Sequence, residues 1–249
     1  MTKNKKDKIL RQTLTNRFVH WTTALSIFLL ILTGLGQLPL YTRYNVTKLP
    51  GAAWLSNYFT TVNLHYWGAI AIIFVATFHI VTAVIRKEFD IFPRKGDMKE
   101  SYLIIKAMFT KGKEPPSDKY LAEQRVAYVF IGGSLLLLIL TGLIKIYKNL
   151  PGVELPNSLL FWNTQLHNLG TVLIILGILG HLVAFLIKEN RALLPGMFTG
   201  YINHDYVKHR HSIWYAKLLS NREISADESI DSPKDLAFQQ NNKQINNSM

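Results

Sequence analysis

The chain contains no cysteine in its 249 residues, which excludes disulfides, Cys-ligated iron–sulfur clusters and thioether-attached haem within it. Acidic residues are scarce, 16 against 28 Lys and Arg, and no charged residue falls within about 18–38, 62–85, 126–144 or 165–187. Without carboxylates in those stretches, a zinc or di-iron site of the usual His/carboxylate type is disfavoured. The polar face that a soluble helix needs is missing too, because these segments are apolar on most sides.

What remains is four apolar runs, each long enough to cross a hydrocarbon core of about 30 Å, which takes about 20 helical residues. The expected fold is an all-α membrane protein, a four-transmembrane-helix bundle. The first run follows a basic stretch as a signal peptide would, but it is too long for that, and Gly34-Leu35-Gly36-Gln37-Leu38-Pro39 is a poor cleavage site, so it reads as a membrane anchor. Six of the basic residues precede the first run, ten lie between the second and third, and eight follow the fourth. Only Arg43, Lys48, Lys145 and Lys148 fall on the other side, so the positive-inside rule puts both termini and the middle connection in the cytoplasm. The net charge of +12 is then mostly topology, and nucleic acid is not an expected partner; the lipid bilayer is. The chain divides into a polar lead (1–16), a membrane domain with a basic extension (17–219) and a tail (220–249) that lacks an apolar face and reads as disordered. Short helices are expected at Ala52–Tyr58, outside the membrane, and at Ser101–Phe109, on its surface.

Inside the apolar runs, the notable residues are histidines. His65 and His79 lie fourteen positions apart in the second run, as do His167 and His181 in the fourth. Fourteen helical residues turn through about 1400°, about 40° short of four turns, and rise about 21 Å, so each pair shares one face at two depths. An internal repeat accompanies them. Leu29-Leu30-Ile31-Leu32-Thr33-Gly34-Leu35 recurs as residues 137–143, and His65-x-x-Gly68 recurs as His167-x-x-Gly170, which makes two related helical hairpins. Ionisable groups at membrane depth usually serve a function. Imidazoles facing one another across a bundle at two levels suit a pair of bis-histidine b-type haems, with Gly68 and Gly170 allowing a macrocycle close to backbone. The rival readings are core histidines hydrogen-bonded across the bundle and a histidine-based proton-coupled transporter, which would normally also need acidic residues in the spans.

Several blocks share an order and spacing that resemble the integral-membrane cytochrome b (gamma) subunit of respiratory formate dehydrogenases, a family related to the b-type cytochrome subunits of membrane-bound nickel–iron hydrogenases. They are Arg17-x-x-His20-Trp21, His65, Lys119-Tyr120 with Gln124, His167-x-x-Gly170 with His181, Gly196-Met197, Lys208-His209 and Trp214-Tyr215. The resemblance covers about residues 13–217. It implies a bacterial cytoplasmic-membrane bundle with two haem b groups, the outer held by His65 and His167 and the inner by His20 and His181. It further implies that electrons arrive from an iron–sulfur (beta) subunit, itself fed by a molybdenum or tungsten (alpha) subunit, and reduce menaquinone near the cytoplasmic face. A hydrogenase or another quinone-linked oxidoreductase is the alternative assembly. Two departures stand out. Repeat symmetry favours His79 as the partner of His181, whereas the resemblance and the otherwise unexplained Arg-x-x-His-Trp block favour His20. Leu121 stands where the family commonly has the asparagine associated with quinone, leaving Glu123 and Gln124 as candidate quinone partners, with helix capping as their plainer role. His204, His209 and His211 read as surface residues near lipid headgroups.

Overall fold

Thr13 starts the first long helix by accepting the Asn16 N–H on its hydroxyl, and the computed structural model, which describes residues 8–110, 112 and 114–221, continues that helix to Gly36. In chain order the elements are β1 (Lys8–Leu10), α1 (Leu14–Gly36), α2 (Leu40–Arg43), α3 (Tyr58–Arg86), α4 (Asp97–Thr110), α5 (Ala122–Tyr147) and α6 (Asn157–Val183). They are followed by α7 (Lys188–Arg191), α8 (Leu194–Thr199), β2 (Tyr201–Asn203), α9 (His204–Arg210) and α10 (Ser212–Ser220). Among the described residues four helices are long and apolar enough to span a membrane: α1, α3, α5, and α6 with the short 3₁₀ turn that extends it to Leu186. Outward-facing side chains such as Leu25, Ile70, Phe74 and Leu176 are more than half exposed, as lipid-facing residues should be.

The four spans pack as two hairpins, α1 on α3 and α5 on α6. In each hairpin a glycine lets the helices approach. A Cβ on Gly68 would come within 3.1 Å of Leu30, and one on Gly170 within 3.0 Å of Leu138, the same leucine of each repeat. Leucine packs over both glycines, which gives them a part in contact between the helices. The hairpins meet around Ile27, Ile72, Val75 and Ile174, a dry layer at mid-depth. Ile72 and Ile174 sit seven residues, about two turns, from the histidines on either side of them in sequence.

One end of the bundle carries a folded cap. β1 pairs antiparallel with β2, Lys8 opposite Asn203 and Leu10 opposite Tyr201, so the start of the chain joins the segment that follows α6. Gly200 makes this turn possible with a φ of 89°, and a Cβ there would meet the Gln12 carbonyl at 2.7 Å. Arg17 and Trp21, one turn apart on α1, donate to the carbonyls of Phe198 and Met197, the latter at 2.9 Å. Those two bonds account for the Arg-x-x-His-Trp block and leave His20 on another face of the helix. Beneath the strands lie Ile9, Leu193, Ile202, Val207, Trp214, Tyr215 and Leu218.

The cap is braced by charge. Arg125 at the start of α5 grips Asp97 at the start of α4 in two bonds of 2.6 and 2.7 Å, both side chains 4% exposed. Asp118 receives Lys217 at 2.6 Å and Arg94 at 3.0 Å, and Arg210 donates to Glu114. Burial works against ionisation of Asp118, but Lys217, its neighbouring backbone N–H and Arg94 together hold its carboxyl down to about 2.

Several boundaries differ from the sequence reading. The fourth span begins at Asn157, and polar groups in its first turns find partners: Asn163 donates to the Thr141 carbonyl of α5 at 3.1 Å, and the Thr164 hydroxyl donates to the Leu160 carbonyl of its own helix at 2.9 Å. α4 is longer than Ser101–Phe109 and packs on α5, with Ile104 wholly buried against Leu121 and Ala122. The Ala52–Tyr58 segment is a 3₁₀ turn, Ala53–Ser56, followed by α3. Part of the polar lead is ordered as β1, and the expected disordered tail lies outside the described residues apart from 220 and 221.

Candidate functional site

Of the histidines of the two long intervals, His65, His79 and His167 are half-buried and His181 is more exposed, and the two levels are built differently. On the side away from the cap, His65 and His167 stand in the same setting twice. The His65 Nδ1 lies 3.0 Å from the Thr33 hydroxyl, and the His167 Nδ1 lies 2.8 Å from the Thr141 hydroxyl. Thr33 and Thr141 are the same position of the repeat, and both are buried. The residues after them are glycines that border the rings: a Cβ on Gly34 would be 3.3 Å from the His65 Cε1, and one on Gly142 would be 3.7 Å from the His167 Cε1. On the same side, the Lys145 Nζ reaches the Thr164 hydroxyl at 3.4 Å.

On the cap side the pairs run between hairpins. His20 of α1 faces His181 of α6 with ring centroids 6.3 Å apart. His79 faces away from that pair, its Nε2 2.9 Å from the Tyr128 hydroxyl of α5, with ring centroids 6.1 Å apart. The repeat explains this. The offset that carries Thr33 to Thr141 carries His20 to Tyr128, and the offset that carries His65 to His167 carries His79 to His181. The two ring pairs are therefore counterparts across the pseudo-two-fold, one of two imidazoles and the other of a phenol and an imidazole. A further shared position supports the alignment, since Arg17 corresponds to Arg125.

A metal between two imidazoles needs two metal–nitrogen bonds of about 2 Å plus the inner halves of two rings, about 6 Å in all, which the His20–His181 spacing matches. The His20 Nδ1 is buried with no partner among the described residues. No group of three or more His, Cys, Asp or Glu that could hold a metal by itself occurs among the described residues, so a two-imidazole site fits a metal whose other ligands come with its own ring.

Of the two candidate quinone residues near the cap, Gln124 is already engaged. Its Oε1 accepts from the Leu121 N–H at 3.3 Å, which caps α5, and from Arg11 at 3.0 Å. The Glu123 Oε2 is buried and unpartnered among the described residues. His211 is not a surface residue as its basic surroundings suggested. It is fully buried, donates its Nδ1–H to the Asp118 carbonyl at 2.7 Å, and burial, with Arg11 nearby, pushes its pKa down to about 4. Nothing in the sequence around His211 signals this, because its partners Arg11 and Asp118 lie far away along the chain. His204 meets Tyr215 at 3.2 Å, and His209 is exposed.

Comparison with known proteins fits this geometry. A family model described as prokaryotic cytochrome b561 matches residues 11–200. The cytochrome b556(Fdn) subunit of the nitrate-inducible formate dehydrogenase of Escherichia coli K12 is 26% identical over 223 residues, covering 86% of this chain and 94% of that protein. The proteins of the same name from Escherichia coli O157:H7 and Shigella flexneri match to the same extent.

Proposed function

This chain belongs to the prokaryotic cytochrome b561 family, and from that premise we propose that it is the dihaem membrane subunit of a formate dehydrogenase complex, taking electrons from an iron–sulfur subunit and delivering them to menaquinone. As a cytochrome b of that family it is a multi-pass bacterial membrane protein that binds haem b and transfers electrons. The observation that carries the finer reading is the His20–His181 pair, two imidazoles facing one another at 6.3 Å between hairpins.

When bound, haem b supplies an iron that cycles between ferric and ferrous states and so holds one electron at a time. His65 and His167 hold one group on the side away from the cap, and His20 and His181 hold the other. His79 is not needed as a ligand, because its Nε2 is spent on Tyr128. Lys145, on the same side as His65 and His167, is the cation that would offset negative charge carried by the far-side group. The apolar layer of Ile27, Ile72, Val75 and Ile174 keeps water out between the levels, so that charge at either site stays unscreened. The cap lies in the cytoplasm by the distribution of Lys and Arg. Menaquinone is reduced at that end, where Glu123, with an oxygen free to accept and pass a proton, is the acid group available for a quinone oxygen.

The test is a reduced-minus-oxidised optical spectrum of the complex purified with its partners. Two b-type haems per chain, reducible by formate and reoxidised by a menaquinone analogue, are expected. A chain without b-type absorption, made where haem is abundant, overturns the reading. Two haems that respond to hydrogen and not formate would leave the cytochrome and change the complex.

A further inference from the structure

The seven-residue repeat Leu-Leu-Ile-Leu-Thr-Gly-Leu lies against a histidine ring in both hairpins. We propose that it is a socket for a ligand imidazole, in which Thr33 and Thr141 are positioning residues that fix which ring nitrogen carries the hydrogen, and Gly34 leaves room for the ring edge of His65. The proposal rests on the reading that His65 and His167 are iron ligands.

A threonine hydroxyl has a single hydrogen and can accept on its oxygen. The Thr33 hydroxyl donates to the Leu29 carbonyl at 2.7 Å, and the Thr141 hydroxyl donates to the Leu137 carbonyl at 2.7 Å, the shortest contacts either makes. With that hydrogen spent, the contact with His65 Nδ1 at 3.0 Å, and that with His167 Nδ1 at 2.8 Å, hold only if the imidazole donates. Each ring then carries Nδ1–H and keeps its lone pair on Nε2, the atom a metal takes. A partner on the other nitrogen fixes both tautomer and ring orientation and makes the ligand more basic. The backbone carbonyl of the helix thus sets the ligand through one hydroxyl in both halves of the molecule, and the Leu30 carbonyl also acts on His65.

A more basic imidazole favours ferric over ferrous iron. Thr33→Val and Thr141→Val keep the shape and remove the acceptor, so each should raise the midpoint potential of one haem and leave the other unchanged. The expected size is about tenfold in the ferric-to-ferrous ratio per threonine, about 59 mV for a one-electron couple. The experiment is a redox titration followed optically on the whole complex, with low-spin ferric EPR recorded for each variant. Thr33→Ser, which restores a hydroxyl, should return the potential towards wild type, whereas a role in packing alone would not be rescued that way. Gly34→Ala, tight against its ring, should perturb the same EPR signal, and Gly142→Ala, with ordinary contact, should not. His65→Ala separates the two levels of the argument. If that variant keeps both haems, the ligand reading fails. If it loses one haem while Thr33→Val leaves potential and EPR unchanged, the socket fails alone. Should the valine variants not accumulate, Gly34→Ala against Gly142→Ala carries the same decision.

Discussion

His65 and His167 repeat one arrangement, each in contact through Nδ1 with a threonine of its own hairpin, whereas His20 and His181 belong to different hairpins, and the Nδ1 of His20 is buried without a partner. The far side keeps the symmetry of the duplication and the cap side breaks it, since the counterpart of the His20–His181 pair is Tyr128 with His79. A duplicated hairpin supplies two pairs of equivalent positions near the cap, 20 with 128 and 79 with 181. Putting tyrosine at one of them leaves three histidines and a single imidazole pair there. Symmetry repeats one histidine–threonine contact at the far level, and at the cap level the two copies differ, an imidazole pair in one place and a phenol with an imidazole in the other.

The strongest way to break this comparison is to remove ligands pair by pair. His65→Ala and His167→Ala should each abolish the same haem, and His20→Ala and His181→Ala the other. Combining two changes within a pair should cost nothing further, while combining across pairs should leave none. Haem-to-protein ratios of the purified variants measure this, and His79→Ala should keep both.

A second lever acts on the cap alone. Replacing Asp97 by Asn leaves the buried Arg125 with only the more distant, partly exposed Glu100 carboxylate at 3.9 Å, which should destabilise the cap by about 3 kcal/mol. Hydrogen exchange at the β1–β2 amides should rise while the far-side haem spectrum holds, and a loss of both haems together would argue that the levels are not separable.

Acid should sharpen the contrast in the same direction. His211 has its pKa lowered to about 4 in the fold from an ordinary value near 6.5, so above that value both folded and unfolded forms are neutral. As the pH falls from about 6.5 to about 4, the unfolded chain takes up a proton that the folded cap refuses, and stability is lost by about 3 kcal/mol. Arg11 and Arg210 nearby oppose the proton, the Asp118 side chain and carbonyl favour it, and the Asp118 carboxylate stays ionised throughout that window. Limited proteolysis of the cap across this range should accelerate at low pH and flatten in His211→Gln. The smallest effect belongs to Tyr128→Phe, which removes one hydrogen bond worth about 1 kcal/mol. It should leave both haems in place, and displacement of His20 by the released His79 would contradict the assignment of ligands.

Much of the fold is legible in the chain because a membrane span announces itself by length and lack of charge, and the fourteen-residue histidine intervals survive as plain text. The repeat was visible where it is identical, at residues 29–35 and 137–143, but not at His20 and Tyr128, where the two copies have diverged in chemistry and only the offset relates them. The glycines show a similar limit. Gly68 and Gly170 drew attention because they follow histidines by one turn, yet they pack against leucines, while Gly34 and Gly142, remote in sequence from any histidine, border the rings. The buried state of His211 was unreadable for a further reason: its environment is assembled from the lead, the middle connection and the extension, whose local compositions are all polar and basic.

The pairing of β1 with β2 sets an order on biogenesis. The first hairpin can seat His65 against Thr33 as soon as residue 86 has entered the bilayer, since both belong to it. The strand at residues 8–10 has no partner until residues 201–203 leave the ribosome, and the same late segment provides the carbonyls that anchor Arg17 and Trp21 on either side of His20. The amino terminus is made first and fastened last. A chain truncated before residue 197 would thus insert all four spans and still lack the clasp that sets His20.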